Sequence, residues 1–140
     1  MTTAASLSAL PMSVQLHIAA AVGALVLGPV ALWSRKGSPV HRSAGYVWVG
    51  LMLTAAITSL FIRDFRLPNI AGYTPIHLVT VLTFTGLSAG IVAALKRRIS
   101  THQKAMRRTY IGGCLVAGAF ALLPSRFLGH WLWVQTLGWA

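Results

Sequence analysis

Four histidines stand close to the start of four apolar runs, and they are the residues of this sequence best suited to chemistry. His41 and His102 each follow a basic connection, whereas His17 and His77 stand near the start of the other two runs. The separations are similar, with 60 residues from His17 to His77 and 61 from His41 to His102. The chain therefore has the pattern of two hairpins with one plan: histidine, apolar run, basic connection, histidine, apolar run.

The composition predicts a membrane protein. The 140 residues are 56% hydrophobic and only 9% charged, with a mean hydropathy of +0.70, whereas a soluble domain carries about 25% charged residues. The net charge of +11 is compatible with nucleic-acid binding, but most of the Lys and Arg residues lie in or beside two short connections between apolar runs. Charge in these places is typical of membrane topology and of contact with anionic headgroups, so we expect no nucleic-acid partner.

The apolar runs predict an all-α fold, a four-helix transmembrane bundle of two repeated hairpins with a short C-terminal interfacial helix. One integral membrane domain covers residues 1–140, and each predicted span has the roughly 20 residues needed to cross the hydrocarbon core. The interfacial tail covers residues 125–140 and is rich in tryptophan, which suits the membrane boundary. The spans are predicted at about 13–33, 41–62, 74–95 and 102–123, and the tail tryptophans are Trp131, Trp133 and Trp139.

The distribution of positive charge predicts the orientation. Nine Lys and Arg residues lie in or beside the connections that join span 1 to span 2 and span 3 to span 4, against three on the other side. The positive-inside rule then places both basic connections in the cytoplasm. We expect a multi-pass protein of the cell (inner) membrane with both termini outside the cytoplasm. The first run is long and lacks a preceding basic segment, so we expect a retained span rather than a cleaved signal peptide.

This topology predicts which histidines can meet. His17 and His77 lie on the outer side and His41 and His102 on the cytoplasmic side, with each pair facing across a pseudo-twofold axis. Two facing imidazoles are the axial ligands of a b-type haem iron, whereas zinc normally takes three or four protein ligands. In the alternative interpretation, the histidines hydrogen-bond to water or headgroups at the interface, as we expect for His130 in any case. Small residues one to three turns beyond each histidine either leave room for a flat ligand or allow close helix packing.

The basic residues around the cytoplasmic pair have two interpretations. Arg42, Lys104, Arg107 and Arg108 could hold haem propionates or an anionic reductant, or they could act only as positive-inside anchors. On the outer side, haem propionates could be held by Arg63, Arg66 and Tyr73, with a weaker case. Asp64 is the single acidic residue and lies in an outer loop, so chemistry with paired carboxylates is not expected. Cys114 is interpreted as a buried, inert thiol.

Two resemblances are carried by these residues. Leu16-His17, His41-Arg42-x-x-Gly45-Tyr46 and His102-x-x-x-Met106-Arg107-Arg108 resemble a family of small bacterial predicted membrane proteins of unknown function. That resemblance covers nearly the whole chain and implies four spans without assigning an activity. The order of one histidine per span is also similar, more distantly, to the four-helix core of the cytochrome b561 superfamily. It implies two b-type haems, with His17 paired with His77 and His41 paired with His102.

Two hypotheses for the function follow. In the first, the protein is a transmembrane electron carrier that binds one or two haem b groups between its histidine pairs and exchanges electrons with a quinol or another redox partner. Whether it is an enzyme is open; if it is, it is a haem-dependent membrane oxidoreductase. In the second, it is a non-catalytic membrane module without a cofactor, an assembly partner or a binder of lipids or small ligands. Both hypotheses place the chain in the lipid bilayer and are compatible with a homodimer.

Overall fold

A computed structural model describes residues 7–63 and 70–138. The prediction of an all-helical chain is confirmed, because the described residues form helices and turns, with a single β-bridge between Ile70 and Tyr73. The predictions for Asp64, Arg66 and Trp139 lie outside the described residues. In chain order the elements are a 3₁₀ turn (Leu7–Ala9), α1 (Met12–Trp33), α2 (Pro39–Ser59), α3 (His77–Leu95), α4 (Ile99–Tyr110), a π-helical segment (Ile111–Val116), α5 (Ala117–Ala121), α6 (Phe127–His130) and a second π-helical segment (Trp131–Thr136).

Local signals explain where the first two helices meet. Gly37 adopts φ +80°, a conformation that favours glycine, and turns the chain after α1. Ser38 then caps α2 by accepting a hydrogen bond from the backbone N–H of His41 at 3.1 Å. Pro39 suits the first position of a helix because that position needs no N–H donor. The helix therefore begins two residues before the predicted start at His41.

Helices α1 and α2 pack as an antiparallel pair. The Nδ1 atom of His17 lies 2.8 Å from the carbonyl oxygen of Ala55. Near the middle of the pair, Trp48 Nε1–H donates to the carbonyl oxygen of Ala24 at 3.1 Å. Moving seven residues forward on α1, from His17 to Ala24, corresponds to moving seven residues back on α2, from Ala55 to Trp48. Buried alanines on both helices allow this close approach.

Helices α3 and α4 also pack antiparallel, and glycines set their separation. A β-carbon on Gly86 would lie 2.1 Å from Thr109 Oγ1, and one on Gly90 would lie 2.7 Å from the terminal methyl of Met106. Side chains of α4 therefore occupy the space that these glycines leave. This contact supports the interpretation that the small residues serve close helix packing.

The two helix pairs contact each other through polar and aromatic side chains. Ser59 of α2 and Thr80 of α3 are hydrogen-bonded at 2.8 Å. The Tyr110 hydroxyl donates to the carbonyl oxygen of Leu25 at 3.0 Å, with its ring against Gly28. The interior between the helices is filled by a cluster of side chains that includes Trp48, Met52, Leu87, Met106, Tyr110 and Cys114.

Two of the helices are long and apolar enough to cross a membrane. They are α1, with a mean hydropathy of 1.9, and α3, with 2.0. The region predicted as span 4 is not one regular helix, because α4 changes to π-helical geometry at Ile111, next to the Gly112-Gly113 pair. The four-span transmembrane bundle therefore stays a prediction. A short helical segment does follow Pro124, as predicted, in α6 and the π-helical segment after it.

Candidate functional site: two ends with histidines

Because the helices pack antiparallel, the four histidines lie at two opposite ends of the helices. We call the end formed by the connections at residues 34–38 and 96–98 the basic end, and the end that carries His17 and His77 the opposite end. At the basic end the rings of His41 and His102 are close, with centroids 6.1 Å apart and planes at 89°. The structure therefore brings together two residues that are 61 positions apart in the sequence.

Both rings at the basic end are anchored in the same way. His41 Nδ1 lies 2.9 Å from the carbonyl oxygen of Ala31, and His102 Nδ1 lies 2.9 Å from that of Gly90. A carbonyl only accepts hydrogen bonds, so Nδ1 carries the proton in each neutral ring and donates it. This tautomer leaves the lone pair on Nε2, and a backbone carbonyl bound to the other ring nitrogen is the usual support of a metal-binding histidine.

The two carbonyl acceptors both belong to the first helix of a hairpin, at different distances from its end. Ala31 lies in the last turn of α1, where carbonyl groups lack partners within the helix. Gly90 lies closer to the middle of α3, and it has no side chain to shield its carbonyl. Each histidine at the start of a second helix thus binds the first helix of its own hairpin.

The Nε2 atoms of His41 and His102 are available to a ligand. Neither makes a hydrogen bond within the part of the chain that the structure describes. The described residues contain no buried side-chain nitrogen or oxygen without a hydrogen-bond partner, so neither of these two Nε2 atoms is fully buried. Both rings are partly exposed, so a ligand can approach these nitrogens from outside the helices.

The separation of the rings fits two imidazoles on one metal ion. An imidazole nitrogen lies about 2.0 Å from a metal that it ligates, so two such rings on opposite sides of an ion have centroids roughly 6 Å apart. Among the described residues no group of three or more His, Cys, Asp or Glu side chains could hold a metal. Two histidines alone are fewer ligands than zinc normally takes, so a metal at this position would have to bring its remaining ligands with it.

An open position lies beside His41, and Gly50, Gly112 and Gly118 are open in the same way. Gly45 lies one turn after His41, and a β-carbon built there would have no described atom within 4 Å. By contrast, Gly90 beside His102 is covered by Met106, and Gly28 by Tyr110. Two open Nε2 atoms and an uncovered position on α2 are therefore compatible with a ligand at this end, whereas the centre of the fold is occupied by side chains.

At the opposite end, His17 joins α1 to α2. Its Nδ1 atom lies 2.8 Å from the Ala55 carbonyl oxygen and 3.3 Å from Thr58 Oγ1. The same argument as for His41 places the proton on Nδ1 and leaves Nε2 without a hydrogen bond among the described residues. His17 is therefore a single anchored imidazole that ties two helices together.

His77 uses both of its ring nitrogens. Its Nδ1 atom accepts a hydrogen bond from the Thr74 backbone N–H at 3.1 Å. Its Nε2–H donates to carbonyl oxygens at the end of α2, at 3.0 Å to Ile62 and 3.2 Å to Ser59. The ring contacts of the described residues join His77 to Tyr73, with centroids 5.1 Å apart, and not to His17. The prediction that His17 and His77 share a ligand is not tested by these contacts and stays a prediction.

The basic side chains predicted to hold an anion lie at the basic end. Arg42, Lys104, Arg107 and Arg108 are all exposed. At the opposite end, the guanidinium of Arg63 lies 5.2 Å from the centroid of the Tyr73 ring, a cation–π contact. His130 is exposed beside an open cavity of about 360 Å³ near Pro124 and Phe127, far along the chain from both histidine pairs.

Sequence reasoning missed Lys36. Its ammonium donates to three carbonyl oxygens at the end of α1, those of Ala31, Leu32 and Ser34. Burial lowers the pKa of the Lys36 ammonium, and the nearby charge of Arg107 lowers it further. The sequence shows that Lys36 is a cation in the Ser34–Ser38 connection. That it lies near α4 depends on how the two helix pairs pack.

The chain belongs to the family described as "Predicted membrane protein (DUF2306)", which it matches over residues 14–137. This confirms the predicted resemblance to a membrane protein family of unknown function. No curated protein and no solved structure matches the chain. The resemblance to the cytochrome b561 superfamily is not shown by these comparisons and stays a prediction.

Proposed function

Starting from this membership of a membrane protein family, we propose that the chain is a multi-pass membrane protein that binds haem b between His41 and His102. Its role is to carry electrons between a quinol, or another redox partner, and an acceptor. One observation carries the proposal: the two rings have centroids 6.1 Å apart and both donate Nδ1–H to a helix carbonyl. Both Nε2 lone pairs are left open, and the separation of the ring centroids is close to that of two imidazoles on one metal ion.

Different residues would bind the iron and the propionates of haem. His41 and His102 would hold the haem iron through their Nε2 atoms, and the carbonyls of Ala31 and Gly90 keep both rings in the tautomer that can bind a metal. Arg42, Lys104 and Arg107 supply the positive charge for the two propionates. When bound, haem supplies a one-electron redox couple, whose potential depends on its axial ligands and burial.

The outer surfaces of the helices support a four-span membrane topology. Most exposed positions of α1 and α3 are apolar, with Val26 70% and Leu82 65% exposed, although α3 also exposes Thr85 and Ser88. The same holds for α2 at Val47 and for the segment after α4 at Phe120, 55% and 54% exposed. Helix α2 has 21 residues, a length of roughly 30 Å that matches the hydrocarbon core. With the basic end in the cytoplasm, as the positive-inside rule directs, both termini lie outside.

An absorption spectrum tests the haem proposal directly. The full chain is purified in detergent from haem-replete cells, and spectra are recorded after oxidation and after reduction with dithionite. We expect the bands of a bis-histidine b-type haem. Protein that is folded and free of haem under these conditions would contradict the proposal.

A pair of glycine variants locates the site. Gly45→Leu places a side chain in the open space one turn from His41, and we expect it to lower haem content. Gly50→Leu is the matched control, because Gly50 lies on the same helix and is also open among the described residues. Equal haem content in the two variants would place the ligand elsewhere.

A cofactor-free membrane module is the second candidate, and a specific observation favours it. The spaces left by Gly28, Gly86 and Gly90 are occupied by Tyr110, Thr109 and Met106. A core filled in this way serves helix packing, and the histidines would then act as hydrogen-bonding anchors. This candidate predicts a colourless protein in which alanine at His41 or His102 changes stability alone.

A further inference from the structure

The turn that joins α3 to α4 holds an arginine in a backbone conformation that favours glycine. Helix α3 ends at Leu95, and Arg97 follows with φ +56°. The N–H of Arg97 donates to the carbonyl oxygen of Ala94 at 3.0 Å, and the N–H of Arg98 donates to that of Ala93 at 2.8 Å. These two hydrogen bonds are those of the Schellman motif, in which the left-handed residue is usually glycine.

The other turn at the basic end has the expected residue. Gly37 adopts φ +80° between α1 and α2, and glycine has no β-carbon to strain this conformation. Arginine at the same kind of position is strained, because its β-carbon lies too close to the following carbonyl oxygen. Strained backbone of this kind is concentrated at functional sites. The guanidinium of Arg97 is therefore the group that needs a reason.

Three consecutive cations are exposed at this turn. Lys96, Arg97 and Arg98 are all exposed, and their side chains make no hydrogen bond or ion pair with the residues that the structure describes. Asp64, the one acidic residue of the sequence, lies outside the described residues. The three backbone N–H groups donate to carbonyl oxygens of α3, that of Lys96 to Val92 at 3.0 Å. The side chains are therefore what this turn offers to a partner.

Membrane topology accounts for the sign of these charges but not for the strain. The positive-inside rule depends on how many Lys and Arg residues a connection holds, and attraction to anionic headgroups depends on their summed charge. Both effects would be the same with glycine at position 97 and a cation elsewhere in the turn. A partner that pairs with the Arg97 guanidinium at this one place accounts for the strain, and arginine pairs with a carboxylate through two parallel hydrogen bonds.

The turn lies beside the proposed haem site. The carbonyl oxygen of Arg98 accepts a hydrogen bond from the N–H of His102 at 2.9 Å, in the first turn of α4. The ring of His102 in turn contacts the ring of His41. A molecule that binds the side chains of this turn is thus held within about one helical turn of a haem ligand.

We propose that the Lys96–Arg98 turn is the docking site of a soluble electron-carrier protein that presents carboxylates. The electron-transfer part rests on the proposed function: the carrier loses one electron, and the haem held by the neighbouring histidines gains it. A quinol is uncharged and would not pair with three cations, whereas an acidic carrier does. Complementary charge steers such a carrier to the site and fixes its orientation.

Binding of a flavodoxin, a small acidic electron carrier, tests the docking site. The full-length protein is placed in phosphatidylcholine nanodiscs, and its affinity for flavodoxin is measured by biolayer interferometry at low and at high salt. We expect binding at low salt that is lost at high salt, because mobile ions screen the charges. The basic carrier cytochrome c should not bind. In Arg97→Gln the affinity at low salt should fall about fivefold, since one charged contact is lost.

A matched variant separates this turn from the total charge of the basic end. Arg35→Gln removes the same charge from the exposed side of the other turn, and the affinity should change less than about twofold. Equal loss in Arg97→Gln and Arg35→Gln would overturn the assignment to this turn. Flavodoxin binding that is absent or independent of salt would exclude an acidic partner. If Arg97→Gln then also retains less phosphatidylglycerol on purification, the partner is lipid.

Arg97→Gly separates binding from folding. Glycine relieves the strained conformation, so the unfolding temperature should rise by a few degrees, whereas flavodoxin binding should weaken as it does in Arg97→Gln. A purely structural turn would lose no binding on this change. An unfolding temperature at or below that of the wild type would mean that position 97 is not strained, and it would overturn the proposal.

Docking and haem binding can fail separately. His41→Ala is expected to lack haem and should still bind flavodoxin, because the turn is intact. Wild-type protein that contains haem but does not bind flavodoxin would contradict the docking site alone. Wild-type protein that binds flavodoxin with the expected salt dependence but contains no haem would contradict the proposed function and leave the docking site standing.

Discussion

The two ends of the molecule use histidine differently. At the basic end, the rings of His41 and His102 are in an edge contact with centroids 6.1 Å apart, and each leaves Nε2 open. At the opposite end, His77 has both nitrogens in hydrogen bonds and its ring against Tyr73, while His17 is tied to α2. The two histidine rings at the basic end therefore contact each other, whereas those at the opposite end have different partners.

The connections explain this difference. At the basic end, residues 34–38 and 96–98 are short, so each histidine that begins a second helix must lie near the end of the first. At the opposite end the connection from α2 to α3 runs from Leu60 to Ile76. His77 there binds carbonyls that become free where α2 ends, at Ser59 and Ile62.

The largest expected effect tests the division between the two ends. His41→Ala or His102→Ala removes an axial nitrogen, and we expect bound haem to fall by more than about tenfold, because loss of even a supporting group costs 10–100-fold in metal affinity. His17→Ala is the control at the opposite end and should retain haem. Haem content is measured by the pyridine haemochrome assay on each purified variant. Loss of haem in His17→Ala but not in His41→Ala would reverse the comparison.

A glycine substitution tests whether the interior is packed as described. A β-carbon on Gly28 would lie 2.2 Å from the Tyr110 ring, so Gly28→Ala should destabilise the fold by about 1–3 kcal/mol through overpacking. Gly50→Ala meets no described atom within 4 Å and should be neutral or stabilising, since alanine is the better helix former. Thermal unfolding in detergent compares the two variants. Equal unfolding temperatures would mean that α1 and α4 are not in close contact.

The anchoring role of His77 predicts a loss of stability without a change of ligand. His77→Ala removes the donor to the carbonyls of Ile62 and Ser59 and the acceptor for the Thr74 N–H. We expect destabilisation of about 1–3 kcal/mol, with haem at the basic end unchanged. Chemical unfolding and the absorption spectrum are measured on the same sample. A variant with full stability and altered haem bands would instead assign His77 to a ligand site.

The smallest expected effect concerns the charge beside His41. Arg42→Gln removes one exposed cation available to a propionate, and exposed ion pairs contribute only about 0–1 kcal/mol. We expect a decrease of a few-fold in haem affinity, smaller at high salt because mobile ions screen the charge. Arg63→Gln should have no effect. A haem affinity for Arg42→Gln equal to the wild type at low salt would exclude this residue from propionate binding.

Much of the arrangement at the basic end was predictable from the sequence. The difference between the hydrogen bonds of the two histidine pairs was not. The repeat of about 60 residues predicts that His41 and His102 occupy corresponding places in two hairpins. It treats His17 and His77 alike, because their neighbours Leu16-Ile18 and Ile76-Leu78 are similar. His77 donates to carbonyl oxygens at the end of α2. No local sequence signal indicates at which residue that helix ends and leaves carbonyls without a partner.

The sequence by itself determined the helical class, the membrane-protein composition, the positions of the histidines and the side that carries the positive charge. These follow from local apolar length, breakers and charge, which act over a few residues. Only the tertiary structure decided that the Ala31 and Gly90 carbonyls orient the His41 and His102 rings and that Tyr110 fills the space at Gly28. Those contacts join residues from different helices, and they depend on how closely and in which register the helices pack.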